Sequence, residues 1–126
     1  MMDAYDPLRP PPIPDWTELD ESERIDLVLA YHQKQRDELP NLNAHAVVHV
    51  IVENQVALAD ETPVAAVMER LMQEGLDRHE AIHAIGYVLM GTLHDTAQDD
   101  GEADLTSAYY RELTQLTAEK WLNQEL

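Results

Sequence analysis

The sequence predicts an all-α fold: a bundle of four main helices and one short helix, preceded by an extended proline-rich arm. Three observations lead there. Val64, Val67, Met68, Leu71 and Met72 recur at the i, i+3, i+4, i+7, i+8 spacing of one helix face. Helix-start signals stand at Asp20-x-x-Glu23, Thr62-Pro63 and Asp77-x-x-Glu80. Phe is absent, so Leu, Val, Ile, Met and Ala must fill the core, a composition that suits helices.

Residues 1–19 form the arm, and residues 20–126 a single helical domain. Pro7, Pro10, Pro11, Pro12 and Pro14 remove backbone donors and fix φ, which favours an extended segment. It is expected to lie across the domain, pinned by Trp16 and Leu19. The first helix runs over about 21–38, with Ile25, Val28, Leu29, Tyr31 and His32 inward, and Pro40 stops it. Asn41 or Asn43 caps the second, which extends to about Ala59. Its middle, Val47 to Val52, is β-branched, but its length, its cap and the recurrence of polar residues at 45, 49 and 53 favour a central buried helix. The short third helix follows Thr62-Pro63 and ends at Gly75, a left-handed cap. The fourth spans about 78–94, with Gly86 leaving room for a neighbour's backbone. Residues 95–104 read as a solvated acidic loop without the ligand order of an EF-hand. The last helix covers about 104–123, with Leu105, Tyr109, Leu113 and Leu116 inward.

The formal net charge of −17 opposes phosphate backbones and anionic membranes, so neither nucleic acid nor membrane is an expected partner. A basic protein or a second copy of the chain is the partner such a surface allows. With no cysteine there are no disulfides, thiolate metal sites or cysteine nucleophiles, in keeping with a cytoplasmic protein. No secretory signal and no membrane-length apolar run is visible.

The chemistry concentrates in two copies of His-x-x-x-His, at His45/His49 and His79/His83. Residues four apart share one helix face, so each pair can hold one metal ion, and Glu53 extends the first face by a turn. Neutral imidazole suits zinc, copper, iron or nickel, and a carboxylate shifts the preference toward iron, zinc or manganese. The candidate ligands are therefore His49, Glu53, His79 and His83, with His45 and His32 in reserve, for a divalent transition metal such as zinc or iron. Helices two and four are expected to run parallel, bringing the first four together and leaving His45 more peripheral.

His79-Glu80-x-x-His83 also has the metalloprotease spacing, but it falls in a helix's first turn, where Glu80 is a capping residue. His49-x-x-x-Glu53 with Glu80-x-x-His83 partly resembles hemerythrin or ferritin-type di-iron bundles, although neither half carries the full carboxylate set. A metal-dependent hydrolase or a di-metal oxidase would need a fuller motif. The alternative is a non-catalytic acidic interaction module, whose histidines form a polar core by bonding one another, Glu53, Tyr31 and Tyr87.

The stretch Ala44-His45-x-x-x-His49-x-x-x-Glu53-Asn54-Gln55, with Leu76-Asp77-Arg78-His79-Glu80-Ala81-Ile82-His83-Ala84-Ile85-Gly86, resembles a family of small bacterial proteins classed as a domain of unknown function. The resemblance covers residues 43–91. It implies an all-helical cytoplasmic protein with these His and Glu positions as its signature, and it supplies no activity.

Overall fold

The computed structural model describes residues 2–35, 41–98 and 104–123, and among them every regular element is helical. The arm is not extended throughout. Pro12 and Pro14 flank the start of α1 (Ile13–Glu18), where a missing N–H costs nothing and a fixed φ suits the first turn. This one turn and a half buries Trp16 completely, and the Trp16 indole donates to Asn54 Oδ1 at 2.9 Å. Arg24 lies over the Trp16 ring and donates to its carbonyl, which fixes the arm against the next helix.

α2 (Glu21–Lys34) opens with both bonds of the Asp20/Glu23 capping box. Its expected stop, Pro40, lies outside the described residues. α3 (Leu42–Ala57) is capped by Asn41, which accepts from Ala44 N at 3.1 Å. It ends two residues early because Ala59 takes a left-handed φ of 51° and leads into a 3₁₀ turn over Ala59–Glu61. α4 (Val64–Gln73) closes with Gly75 at φ 117° and a bond from Leu76 N to Leu71 O, a Schellman end.

α5 (Arg78–Gln98) starts under Asp77, which accepts from Glu80 N at 2.8 Å, but the reciprocal half of that capping box is not made. The Glu80 carboxylate instead accepts from the Trp121 indole at 2.7 Å. α5 runs past its expected end near residue 94, so residues 95–98 of the loop expected over 95–104 are helical, and residues 99–103 lie outside the described residues. The single last helix expected over 104–123 is two: α6 (Leu105–Gln115) and α7 (Ala118–Leu122). Leu116 and Thr117 are extended, and the Thr117 hydroxyl caps the new helix by accepting from Lys120 N. Ala118 N then donates to Glu74 Oε1, so the break docks α7 onto the end of α4.

α3 is the shared wall of two apolar clusters. Val52 packs into one with α4, α5, α6 and α7, while Ala46 and Val50 pack into the other with Tyr5, Trp16 and Val28. The direction of α5 corrects the expectation of parallel helices. Glu53 meets Arg78, His49 meets His83 and Val48 meets Gly86, so one chain number falls as the other rises. α3 and α5 are antiparallel. α4 cannot reverse against both of them, so the two connections around it together turn the chain by half a circle, not a full one. Gly86 admits the Val48 side chain rather than a neighbouring backbone: a Cβ placed there would lie 2.6 Å from Val48 Cγ1. Among the described residues no helix is long and apolar enough to cross a membrane.

Candidate metal centre

Helical spacing places His45 and His49 on one face of α3, and His79 and His83 on one face of α5. The ring centroids are 4.8 and 4.3 Å apart within each pair. His32, near the end of α2, completes the group, with its ring 4.6 Å from His45 and 4.8 Å from His49. One ring nitrogen from each of the five lies within 4.8 Å of the other four. Nitrogens bound to one zinc at about 2.0–2.1 Å are separated by about 2.9 Å when adjacent and about 4.2 Å when opposite. The tighter spacings fall inside that range, and the widest exceeds it by about half an ångström, a small ring rotation.

The contacts run through Nε2. His49 and His83 are 3.1 Å apart at Nε2, His83 and His45 3.2 Å, and His45 and His32 3.1 Å. Two of these four tautomers are fixed from outside the cluster. His32 Nδ1 faces the Val28 carbonyl at 2.9 Å, which only accepts, so Nδ1 carries a proton and, in the neutral ring, Nε2 a lone pair. Tyr5 donates to Glu53 Oε2 at 2.6 Å, so the Tyr5 oxygen accepts from His49 Nδ1–H at 3.2 Å. His49 Nε2 is then also a lone pair aimed at the cluster.

Glu53 does not join the histidines. Its carboxylate takes two bonds of 2.7 Å from the Arg78 guanidinium, and Arg78 also donates to the Pro7 carbonyl. Burial alone would pull Arg78 down, but the hydrogen bonds and charge of Glu53 outweigh it and hold the guanidinium above its ordinary value. Burial first, then the Glu53 charge, keeps the Tyr5 phenol protonated far above its usual range. The chain of contacts therefore reads Arg78, Glu53, Tyr5, His49: a charge pair sets a carboxylate, the carboxylate sets a phenol, and the phenol sets an imidazole.

His49 and His83 are held neutral. Burial, followed by the neighbouring His83, His45, His32 and His79, pushes His49 far below its ordinary value. Burial and the adjacent histidines bring His83 down to about 4, against a smaller upward pull from Asp77. A neutral imidazole with an inward lone pair is the ligand form.

Of the four first-choice ligands, the structure gathers His49, His79 and His83 and directs Glu53 to Arg78. His45, expected at the periphery, lies within 3.2 Å of His83, one turn of α3 before His49. His32, held in reserve, is a full member. Arg78 and Tyr5 join the site from outside the His-x-x-x-His pattern. A lone Glu in an apolar helix calls for a buried cation, which was the legible signal for Arg78. Nothing in the sequence places Tyr5, whose partner lies 48 positions away.

An open groove of about 420 Å³ borders the cluster. His45, His49 and His83 line it, and Ile82, Met90 and Trp121 are among its walls. The chain matches no family model, no curated protein and no solved structure.

Proposed function

We propose that this chain is a metalloprotein that holds one divalent transition ion through the imidazoles of His32, His45, His49, His79 and His83. The observation that carries the reading is the run of three Nε2 contacts from His49 through His83 and His45 to His32. Each Nε2 offers one in-plane position, either a proton or a lone pair. Three contacts among four such atoms cannot all be hydrogen bonds. With His32 and His49 presenting lone pairs, His83 and His45 would each donate outward, leaving two N–H groups opposed at 3.2 Å. A cation removes that conflict by accepting every lone pair at once. This is what favours a metal over the metal-free polar core of an acidic interaction module.

Five nitrogen donors and no carboxylate point to zinc ahead of iron, because iron is favoured where a carboxylate joins the imidazoles and both Glu53 oxygens are engaged by Arg78. The test is elemental analysis of protein purified without an affinity tag, before and after equilibration with Zn(II). About one equivalent is expected, lost in His49→Ala and kept in His94→Ala, whose histidine is exposed outside the cluster. Zinc content of the wild type no higher than that of His49→Ala would overturn the proposal.

A further inference from the structure

The groove joins the histidines to an apolar channel, and the charge of the loaded site says what such a channel would receive. Resting on the metal reading above, we propose that it is the ligand site of the metal centre, taking a small monoanion with an apolar body, of which a short-chain carboxylate is the simplest.

Five neutral imidazoles around a dication leave two positive charges with no anionic ligand. The nearby carboxylates are engaged elsewhere. Both Glu53 oxygens are bonded to Arg78, the Glu80 carboxylate accepts from Trp121, and Asp77 caps Glu80 N. An anion at the metal is thus the missing charge, and it gains most where water is excluded. His45, His79 and His83 are only half-buried, so the cluster is open on one side, and His45 and His83 line the groove there.

The walls choose among anions. Val48, Ile82, Tyr87, Met90 and Trp121 present aliphatic and aromatic surface, and the Trp121 indole N–H is turned onto Glu80 at 2.7 Å. Tyr87 and Trp121 meet edge to face at 5.8 Å, forming one corner of the groove. Hydrated anions such as phosphate gain nothing from such walls, whereas an alkyl or aryl tail buries against them. The volume is that of a small-molecule site.

The experiment uses the full chain loaded with Co(II), whose visible absorption reports its ligands, titrated with acetate, butyrate and hexanoate. Each buried methylene strengthens binding by up to about fourfold, so hexanoate is expected to bind at least roughly tenfold tighter than acetate. Met90→Glu places a charge and removes a wall at an exposed position, and should weaken hexanoate by about tenfold or more, by the same burial scale. Leu93→Glu adds the same charge to the same helix outside the groove and should leave the titration unchanged. Co(II) uptake with equal affinity for acetate and hexanoate would overturn the groove assignment and leave the metal site standing. Failure to take up Co(II) would remove both.

Discussion

Arg78 grips Glu53 through two parallel bonds of 2.7 Å, tying the first residue of α5 to the last turns of α3 in a site that is almost wholly buried. The pair lies one residue from His79 and one turn from His49, so it fixes the relation between the two helices that carry four of the five histidines. Removing one partner leaves the other charge buried and unmatched. Arg78→Met should therefore destabilise the protein by about 3–5 kcal/mol, whereas the double variant Arg78→Met/Glu53→Leu should recover much of that loss. Urea unfolding of metal-free protein measures both. A cost below about 1 kcal/mol for Arg78→Met would mean that water reaches the carboxylate.

Helix identity was legible because caps and periodicity are local: Asp20/Glu23, Asn41, Thr62 and Gly75 act where the sequence puts them. Thr117 is equally local, yet the apolar spacing Leu105, Tyr109, Leu113, Leu116 leads straight up to it and, with Trp121 and Leu122 beyond, reads as one continuous helix. The histidine pairing within each helix was likewise fixed by spacing. What the sequence could not carry was orientation between helices. Loop length suggests how far the chain turns but not the axis, and an antiparallel α3/α5 pair moves His45 inward while sending Glu53 to Arg78. Tyr5 reached the site through the arm, a segment without periodicity to read.

Tyr5→Phe isolates the relay. The substitution keeps the ring that packs against Trp16 and Tyr31 and removes only the hydroxyl between Glu53 and His49. A lost buried hydrogen bond should cost about 1–3 kcal/mol in the metal-free protein. Its second effect is on the metal: without the acceptor at Nδ1, His49 is free to change tautomer or rotate. Zinc affinity, measured by competition with a chromophoric chelator, should fall by about 10–100-fold. Unchanged affinity would show that the His49 ring is held by packing alone.

The stability of the metal-free protein should fall as the solution is acidified. His83 is brought from 6.5 down to about 4 by burial and its neighbours, and His49 is displaced in the same direction. A base whose pKa is depressed by folding binds its proton more readily in the unfolded chain. The contribution is intact above pH 6.5 and is lost between there and about 4. The net charge of −17 acts oppositely, because protonating surface carboxylates relieves repulsion, but that begins nearer pH 5. The melting temperature is thus expected to drop from pH 7 to 5.5. A steady rise over that interval would show histidines that titrate as exposed ones do.

Gly86 controls how closely α3 and α5 approach beside the cluster. An alanine Cβ there would stand 2.6 Å from Val48 Cγ1, well inside ordinary contact. Val48 is β-branched within a helix, so its χ1 has little freedom to turn away. Overpacking of this kind costs about 1–3 kcal/mol, while replacing a helical glycine by alanine returns about 1 kcal/mol. Gly86→Ala alone should then be neutral to destabilising by about 2 kcal/mol, the difference of those two terms. Val48→Ala removes the obstructing methyls, so Gly86→Ala made in that background should be stabilising. The sign change is a coupling between the two residues that a double-mutant cycle reads directly. It also bears on the site. If the single variant relieves its clash by parting the helices, His83 withdraws from His49, now 3.1 Å away at Nε2, and zinc affinity falls with stability. If Gly86→Ala is stabilising in the wild-type background, Val48 has simply moved, and the helix spacing is set elsewhere.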